Sequence, residues 1–447
     1  MGKTFPLLQL PLELREQIYA HYFDPTTHLD TGGCDGGGRY DFDFALYRAS
    51  KQIYLEAQTM FRRENVFVRI ETPWPTAVLV QHISLEGGVP IVASSHRAEL
   101  FRHHHATISI SSPRHGAIPE HIIILHLNDL PLFTQVWYYS SLSFPELNAQ
   151  LCTGFALRDP YYPADPKPIP VALQRRILEG FDRVKGLYDT EFDGFDERLV
   201  EELRGRMAVP HPSVRECCEK STDLMIEGDR TLTEGKVEEA LRLYVKSFHA
   251  IHIIIEGRTR SVLADSFFHE GIESGRYSGQ TGTTVRIILR IRLVARTIAA
   301  YLKLQDWTEA AFWGMRSIRI MREAMDTEFE DFISEFVGSA DVGLIYLRTA
   351  IAFKKIEEAQ EKQQDERVRD EMLEYASTDF ASSERLFGLA AKYLKKQEQK
   401  GIRKEIEAYG VRVPEGLFGT GDDRSEVDSL AHLNLGQAEN EADERAA

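Results

Sequence analysis

The segment LLQLPLELREQIYA, residues 7–20, decides how the chain begins to fold. Pro11 suits the first turn of a helix, where the missing N–H of proline is not needed. Leu14, Ile18 and Tyr22 then recur at i, i+4 and i+8, so they lie on one face of that helix. The pattern therefore predicts an amphipathic first helix that begins near Pro11.

The sequence after the first helix predicts a loop, a second helix and a strand. The first helix should end before Asp24-Pro25, because the residue before a proline disfavours the α conformation. A glycine-rich stretch at 31–38 predicts a flexible loop, and alternation over 65–70 predicts a strand. A second helix is expected at about 45–62, because this stretch carries an apolar stripe at helical spacing: Leu46, Ala49, Ile53, Ala57 and Met60 or Phe61.

Three motifs in order give these first residues a family resemblance. They are Leu10-Pro11-x-Glu13-Leu14-Arg15-x-x-Ile18-Tyr19, then Ser50-Lys51-Gln52-Ile53-Tyr54-x-Glu56-Ala57, then Glu64-Asn65-x-Phe67. Residues 1–70 resemble the F-box-like domains of filamentous fungi and the related fungal domains named for a Glu-x-Arg signature. In F-box proteins this segment docks on the Skp-type adaptor of a cullin ubiquitin ligase. The resemblance implies that Leu10, Pro11, Leu14 and Ile18 are the partner-binding residues.

Residues 71–165 predict a small mixed α/β region. Alternation over 106–111 and an unbroken apolar run over 122–127 both predict strands. Prolines divide this region into short elements, and the proline-rich stretch 159–170 is the best candidate for a domain boundary. Residues 166–210 are accordingly expected to be a linker with two connecting helices.

Residues 211–405 are expected to form a helical domain that resembles a tetratricopeptide array. A first unit is indicated by Leu224, Gly228, Leu232, Gly235, Ala240, Tyr244 and Ser247. A second, looser unit is indicated by Val294, Tyr301, Trp307, Ala310 and Ser317. Ala240 and Ala310 are separated by about twice the tetratricopeptide period of roughly 34 residues. Small residues should let paired helices approach closely, and Gly235 should form the turn between them.

The C-terminal part predicts two more helices and a tail. The helices are expected at about 342–363 and 366–399. From Pro414 to Ala447 the sequence has nine Asp and Glu but two Lys and Arg. Because such acidic, weakly periodic segments do not bury a core, residues 406–447 are expected to be disordered. The whole pattern predicts an α+β protein that is mainly α.

Composition excludes several classes of function. The net charge of −16 argues against nucleic-acid binding, which needs a surplus of cationic side chains. No apolar run is long enough to span a membrane, and no secretory signal is evident. The four cysteines contain no Cys-x-x-Cys pair and fit a reducing compartment. The expected location is therefore intracellular, in the cytoplasm or the nucleus.

No motif predicts catalysis, a cofactor or a metal. Nucleophile elbows, zinc-protease helices, kinase signatures and dinucleotide fingerprints are absent from the sequence. His103, His104 and His105 are consecutive, so they cannot easily converge on one metal ion; we expect a partly exposed loop there. Arginines between Arg286 and Arg296 leave open an acidic-peptide groove on a helical array.

Three hypotheses follow. In the first, the chain is a non-enzymatic F-box-type substrate receptor that binds a Skp-type adaptor. In the second, it is a structural scaffold whose F-box-like segment packs internally and binds no adaptor. The two differ in whether Leu10, Leu14 and Ile18 are exposed. In the third, the middle region is an enzyme with an unfamiliar pocket of converging titratable groups.

Overall fold

The chain folds as an α+β protein in which helices predominate, as the sequence predicted. The structure is a computed structural model that describes residues 7–32, 36–323, 339–363, 382–394, 399–413 and 417. The chain divides into two compact units. Unit 1 comprises residues 1–212 with 264–267, and unit 2 comprises 213–263 with 268–447.

Unit 1 begins with two packed helices, α1 (Leu12–Tyr22) and α2 (Lys51–Glu64). The predicted end of α1 before Asp24 is confirmed. The second helix begins later than predicted, because the Ser50 hydroxyl accepts a hydrogen bond from the Ile53 N–H and caps it there. Ala45–Arg48 is instead a 3₁₀ turn. Between the helices, β1 (Leu29–Asp30) pairs antiparallel with β2 (Arg39–Tyr40).

A six-stranded mixed sheet forms the centre of unit 1. Its strands are β3 (Phe67–Thr72), β4 (Ala93–Ser94), β5 (Ala106–Ser111), β6 (His121–His126), β7 (Cys152–Leu157) and β8 (Asp189–Asp193). The order across the sheet is β4-β6-β3-β5-β7-β8. The β3–β5 and β7–β8 pairs are parallel and the others are antiparallel. The strands predicted near 65–70, 106–111 and 122–127 are confirmed as β3, β5 and β6.

Helices of unit 1 cover this sheet. They are α3 (Thr76–Leu79), α4 (Ser95–Leu100), α5 (Leu130–Ser143), α6 (Val171–Leu178) and α7 (Glu197–Met207), and α3 continues into a π-helical turn at Val80–Glu86. A single apolar core joins strand residues such as Ile108 and Phe155 to Trp137 of α5 and Leu203 of α7.

The predicted domain boundary at 159–170 is wrong, and 166–210 is not a linker. The chain crosses the proline-rich stretch and then adds β8 to the sheet, parallel to β7. Ile177, Phe181 and Leu203 are buried in the core of the same sheet. The sheet and the residues that cover it therefore belong to the same unit, and the boundary between the two units follows Pro212.

In its described residues, unit 2 consists of helices and a β-hairpin. The helices are α8 (Val214–Thr233), α9 (Val237–Ala250), α10 (Gly282–Lys303), α11 (Trp307–Glu323), α12 (Ser339–Gln363), α13 (Ser383–Leu394) and α14 (Gln399–Ala408). The hairpin, which the sequence did not predict, pairs β9 (Ile253–Glu256) with β10 (Thr259–Val262).

The α8–α9 pair has the close approach and the turn expected of its spacing. A Cβ on Gly228 would lie 2.5 Å from Cε1 of Tyr244, so only glycine allows this approach. Gly235 has φ 83°, and it forms the turn between the helices. The hydroxyls of Ser221 and Ser247 lie 2.9 Å apart inside the pair. The described geometry of 221–247 is thus that of a tightly packed helical hairpin.

The second predicted unit falls on α10 and α11. Gln305, with φ 60°, lies in the short turn between them. The predicted core positions Val294, Ala310 and Ser317 are buried.

Some predictions fall outside the described residues. The predicted helix 366–399 lies partly in 364–381 and 395–398, and its described part contains α13. The predicted tail, 406–447, was placed to begin too early, because α14 continues to Ala408. Beyond 413, all of it except residue 417 lies outside the described residues. Among the residues that are described, no helix is both long enough and apolar enough to cross a membrane.

Candidate protein-docking surface

One face of α1 anchors it to α2 through a partly buried ion pair. The guanidinium of Arg15 donates to both carboxylate oxygens of Glu56, with Nε–Oε2 at 2.8 Å and Nη2–Oε1 at 2.7 Å. The Tyr19 hydroxyl donates to Oε2 of the same carboxylate at 3.0 Å. Nη1 of Arg15 donates to the Leu10 carbonyl oxygen, which ties down the chain before the helix. These bonds fix both the rotation of α1 and the path that enters it.

The electrostatics of this anchor favour the ionised carboxylate. Hydrogen bonds from Arg15, with smaller contributions from Gln52 and Tyr19, lower the pKa of Glu56 to about 2. Burial, followed by the hydrogen bond to Glu56, raises the pKa of Tyr19 to about 12. The pair therefore keeps its charges and the tyrosine its proton over the physiological pH range. Tyr19 and Phe23 are fully buried beside this pair.

The adjoining face of α1, about 100° around the helix from the anchored one, carries exposed apolar side chains. Leu14 and Ile18 are 45% and 39% exposed, although a leucine and an isoleucine one turn apart would normally mark the buried side of a helix. Leu8, which precedes α1, is 45% exposed, and Leu12, in the first turn of α1, is 46% exposed. Of the four residues named from the resemblance, Leu14, Ile18 and Pro11 are thus exposed, and Leu10 is half-buried.

Helix α2 and its approach add apolar side chains that the sequence analysis missed. Tyr54 and Leu55 are 38% and 53% exposed, and Phe44 is 41% exposed. They fall off the predicted apolar stripe of α2, whose members Ile53, Ala57 and Met60 are buried. The sequence signal for these exposed side chains was the presence of apolar residues at 54 and 55, directly after Ile53 of the stripe. We call the exposed apolar residues of the two helices, Leu8, Leu12, Leu14, Ile18, Tyr54 and Leu55, the N-terminal surface.

Apolar groups at this density on paired helices are what a protein partner would cover. Single exposed leucines are ordinary, but grouped exposed apolar side chains mark interaction sites. On the same helix, Glu13 and Gln17 are exposed polar side chains and Glu16 is half-buried. An apolar centre with a polar rim is the arrangement of a protein–protein interface.

The histidine cluster is less exposed than predicted. His104 and His105 are 3% and 6% exposed, because they enter β5 from inside the fold, whereas His103 is exposed. Within the described parts of the chain, no group of histidine, cysteine and acidic residues is placed to hold a metal ion.

The arginines of α10 are committed to contacts inside unit 2. Arg286 is buried and donates to the carbonyl oxygens of Ile251, His252 and Leu263. Arg296 pairs with Asp229 at 2.8 Å. These side chains hold helices and the hairpin together, so they do not support the acidic-peptide groove.

The fold and the N-terminal surface therefore define an α+β protein with a candidate surface for binding another protein. Comparisons with protein-family models, with curated proteins and with solved structures found no match.

Proposed function

We propose that this chain is a non-enzymatic protein-interaction protein, and that it acts as an F-box-type substrate receptor of a cullin ubiquitin ligase. In this proposal the N-terminal surface docks on a Skp-type adaptor, and the rest of the chain presents a target protein. The observation that carries the proposal is the exposure of Leu14 and Ile18 on a helix that is anchored through its other face.

The two faces of α1 make this arrangement informative. If the resembling segment served only to pack inside the chain, its apolar residues would be expected in the core. Instead the core side is formed by Arg15, Tyr19 and Phe23, and the residues that would contact an adaptor face outward. This exposure favours the docking hypothesis over the scaffold hypothesis.

Covering the N-terminal surface would contribute a few kcal/mol to a contact with a partner. Fully burying a leucine or isoleucine side chain contributes about 1.5–3 kcal/mol. Leu8, Leu12, Leu14 and Ile18 are each close to half exposed, so covering them would contribute on the order of 1 kcal/mol apiece. Contacts by Tyr54 and Leu55 would add to this, against the loss of translational and rotational freedom on association.

The test is a binding measurement between the full chain and a purified Skp-type adaptor. We expect the Leu14→Asp/Ile18→Asp double variant to bind at least about a hundred-fold more weakly, because two charges would enter an apolar contact. The matched control is Leu100→Asp/Ile226→Asp, which places two aspartates at helix positions that are 60% and 54% exposed.

Circular dichroism and thermal unfolding establish that both double variants are folded. Adaptor binding by the wild type and the control, but not by the Leu14/Ile18 variant, supports the proposal. Absence of binding by the folded wild type, or undiminished binding by the Leu14/Ile18 variant, contradicts it.

A further inference from the structure

Unit 1 contains an apolar pocket that the docking surface does not use. It lies between α3, the π-helical turn and α5, and its volume is about 210 Å³. Trp74, Phe133, Trp137 and Phe144 contribute aromatic walls, and aliphatic side chains such as Val136 complete them. We call it the α5 pocket. Apolar pockets with a few polar groups are the usual form of small-molecule sites.

The walls of the α5 pocket are held in place by contacts around it. The indole Nε1–H of Trp137 donates to Oδ1 of buried Asn148 at 2.9 Å, which fixes the ring orientation. Asn148 in turn donates to the Lys185 carbonyl oxygen at 2.7 Å. Gly87 approaches Val136 so closely that a Cβ would lie 2.4 Å from Cγ2 of the valine. The pocket is thus formed before any ligand binds.

A chain of hydrogen bonds supplies the polar end of the pocket. His82 and Ser140 both line it, and Nε2 of His82 lies 2.8 Å from Oγ of Ser140. Nδ1 of His82 lies 3.0 Å from Oε2 of Glu86, one turn further along the π-helical segment. Glu86 therefore orients the imidazole, and the imidazole contacts the serine hydroxyl.

Counting the bonds of Ser140 identifies the group that a ligand must bring. A serine hydroxyl has one hydrogen to donate and two lone pairs to accept with. Oγ of Ser140 lies 2.8 Å from both Nε2 of His82 and the Val136 carbonyl oxygen. A neutral imidazole that donates from Nδ1 to Glu86 has an acceptor at Nε2, so the single hydrogen of Ser140 goes to His82 or to Val136 and both lone pairs of Oγ stay free. The polar end of the pocket therefore has room for a hydrogen-bond donor.

The lining of the pocket disfavours a charged ligand. Its described residues include no Asp, Glu, Lys or Arg, so a charged ligand would lose its hydration without an ion-pair partner. The hydrogen bond from His82 lowers the pKa of Glu86, and this ionised carboxylate, outside the lining, would repel an acid in addition. The ligand that suits the site is therefore uncharged.

We propose that the α5 pocket binds a small, uncharged, planar aromatic molecule with a single N–H or O–H donor directed at Ser140. A dry apolar cavity of about 150 Å³ binds benzene. A pocket of about 210 Å³ therefore admits a two-ring system. Aromatic walls favour stacked and edge-on contacts with such a ring system. This binding site is independent of the N-terminal surface.

The experiment compares two probes of nearly equal shape, indole and benzofuran, by calorimetric titration of the full chain. Both probes fill the pocket, but only indole has a donor. We expect indole to bind about five-fold more tightly, the ratio that one net hydrogen bond supports. Ser140→Ala should remove this preference. Ser143→Ala is the matched control, because Ser143 makes the same bond to a carbonyl four residues earlier and does not line the pocket.

Two further variants test the location of binding. Val136→Phe fills the pocket, and Val78→Phe narrows it at a side chain that is 55% exposed, so that the core is left undisturbed. Both should abolish binding of either probe, whereas Val171→Phe, at a 51% exposed position outside the pocket, should not. Failure of indole to bind at millimolar concentration overturns the proposal. So does binding that survives Val78→Phe, or an indole preference that survives Ser140→Ala.

Discussion

Acid should destabilise unit 1 through three buried histidines. His104, His105 and His126 are 3%, 6% and 1% exposed. Each has a ring nitrogen in the interior with no hydrogen-bond partner in the described structure: Nδ1 of His104, Nδ1 of His105 and Nε2 of His126. Burial lowers the pKa of each to about 4. The folded state therefore holds these rings neutral, while the unfolded state protonates them near the ordinary value of 6.5.

The sign of the effect follows from which state binds more protons. Between pH 6.5 and 4 the unfolded chain binds more, so stability is lost as the pH falls through this window. Lowering the pH from about 7 to about 5 reduces the free energy of unfolding by about 2 kcal/mol for each such histidine. His211, half-buried with its pKa also lowered to about 4, acts in the same direction. Asp129 has the opposite effect. Burial raises its pKa to about 6, so its protonation increases the free energy of unfolding by about 1 kcal/mol over the same interval.

The net expectation is a loss of about 5 kcal/mol or more in the free energy of unfolding of unit 1 between about pH 7 and pH 5. Urea titration followed by tryptophan fluorescence measures it. Of the four tryptophans, Trp74 and Trp137 belong to unit 1, so a Trp307→Phe/Trp313→Phe background restricts the signal to that unit.

A single substitution isolates one histidine. In His105→Gln the loss between the two pH values should shrink by about 2 kcal/mol, whatever the substitution costs at either pH alone. The control is His96→Gln, because His96 is exposed on α4. A pH-dependent loss in His105→Gln equal to that of the wild type would refute the reasoning, as would a wild-type stability that does not fall with pH.

Two further predictions concern unit 2. Gly228→Ala should destabilise it by about 1–3 kcal/mol in thermal or urea unfolding, because the added methyl meets the buried Tyr244 ring, whose hydroxyl is held by Asp229 at 2.9 Å. Gly388→Ala, where a Cβ would meet nothing within 4 Å, should instead stabilise by up to about 1 kcal/mol, and equal effects at the two positions would contradict the packing argument. Burial raises the pKa of Cys217 to about 11 and of Cys218 to about 12. In a variant that lacks the other two cysteines, neither thiol should react with a disulfide reagent near neutral pH until urea unfolds the chain; rapid labelling of the native protein would contradict this.

The sequence was most informative where one residue type is physically required. Gly228 and Gly235 could be recognised because a close helix approach and a left-handed turn both exclude a side chain. Strand β5 was predicted with its observed bounds, because its alternation corresponds to a burial pattern that also alternates. The end of α1 followed from the proline after Asp24. In each case the cause is local, so neighbouring residues are enough to reveal it.

The features that could not be predicted depend on contacts between residues that are far apart in the sequence. The burial of Arg15 depends on Glu56, which is 41 positions away, so the sequence of α1 alone does not reveal which face it buries. Strand β8 reads DTEFD, with no apolar run, and it becomes a strand because β7 offers an unpaired edge. The α5 pocket likewise depends on Ser140 and His82, 58 positions apart, meeting across two helices.

The late arrival of β8 has a consequence for how the chain is made. As unit 1 leaves the ribosome, β7 emerges well before Asp189–Asp193, and its outer edge has no partner until that strand follows. An unpaired edge recruits strands from other molecules. During synthesis, therefore, the edge of β7 stays unpaired while the proline-rich stretch 159–170 is made. β8 then covers this edge and becomes the edge strand itself, and its exposed Asp189, Glu191 and Asp193 disfavour pairing with another molecule.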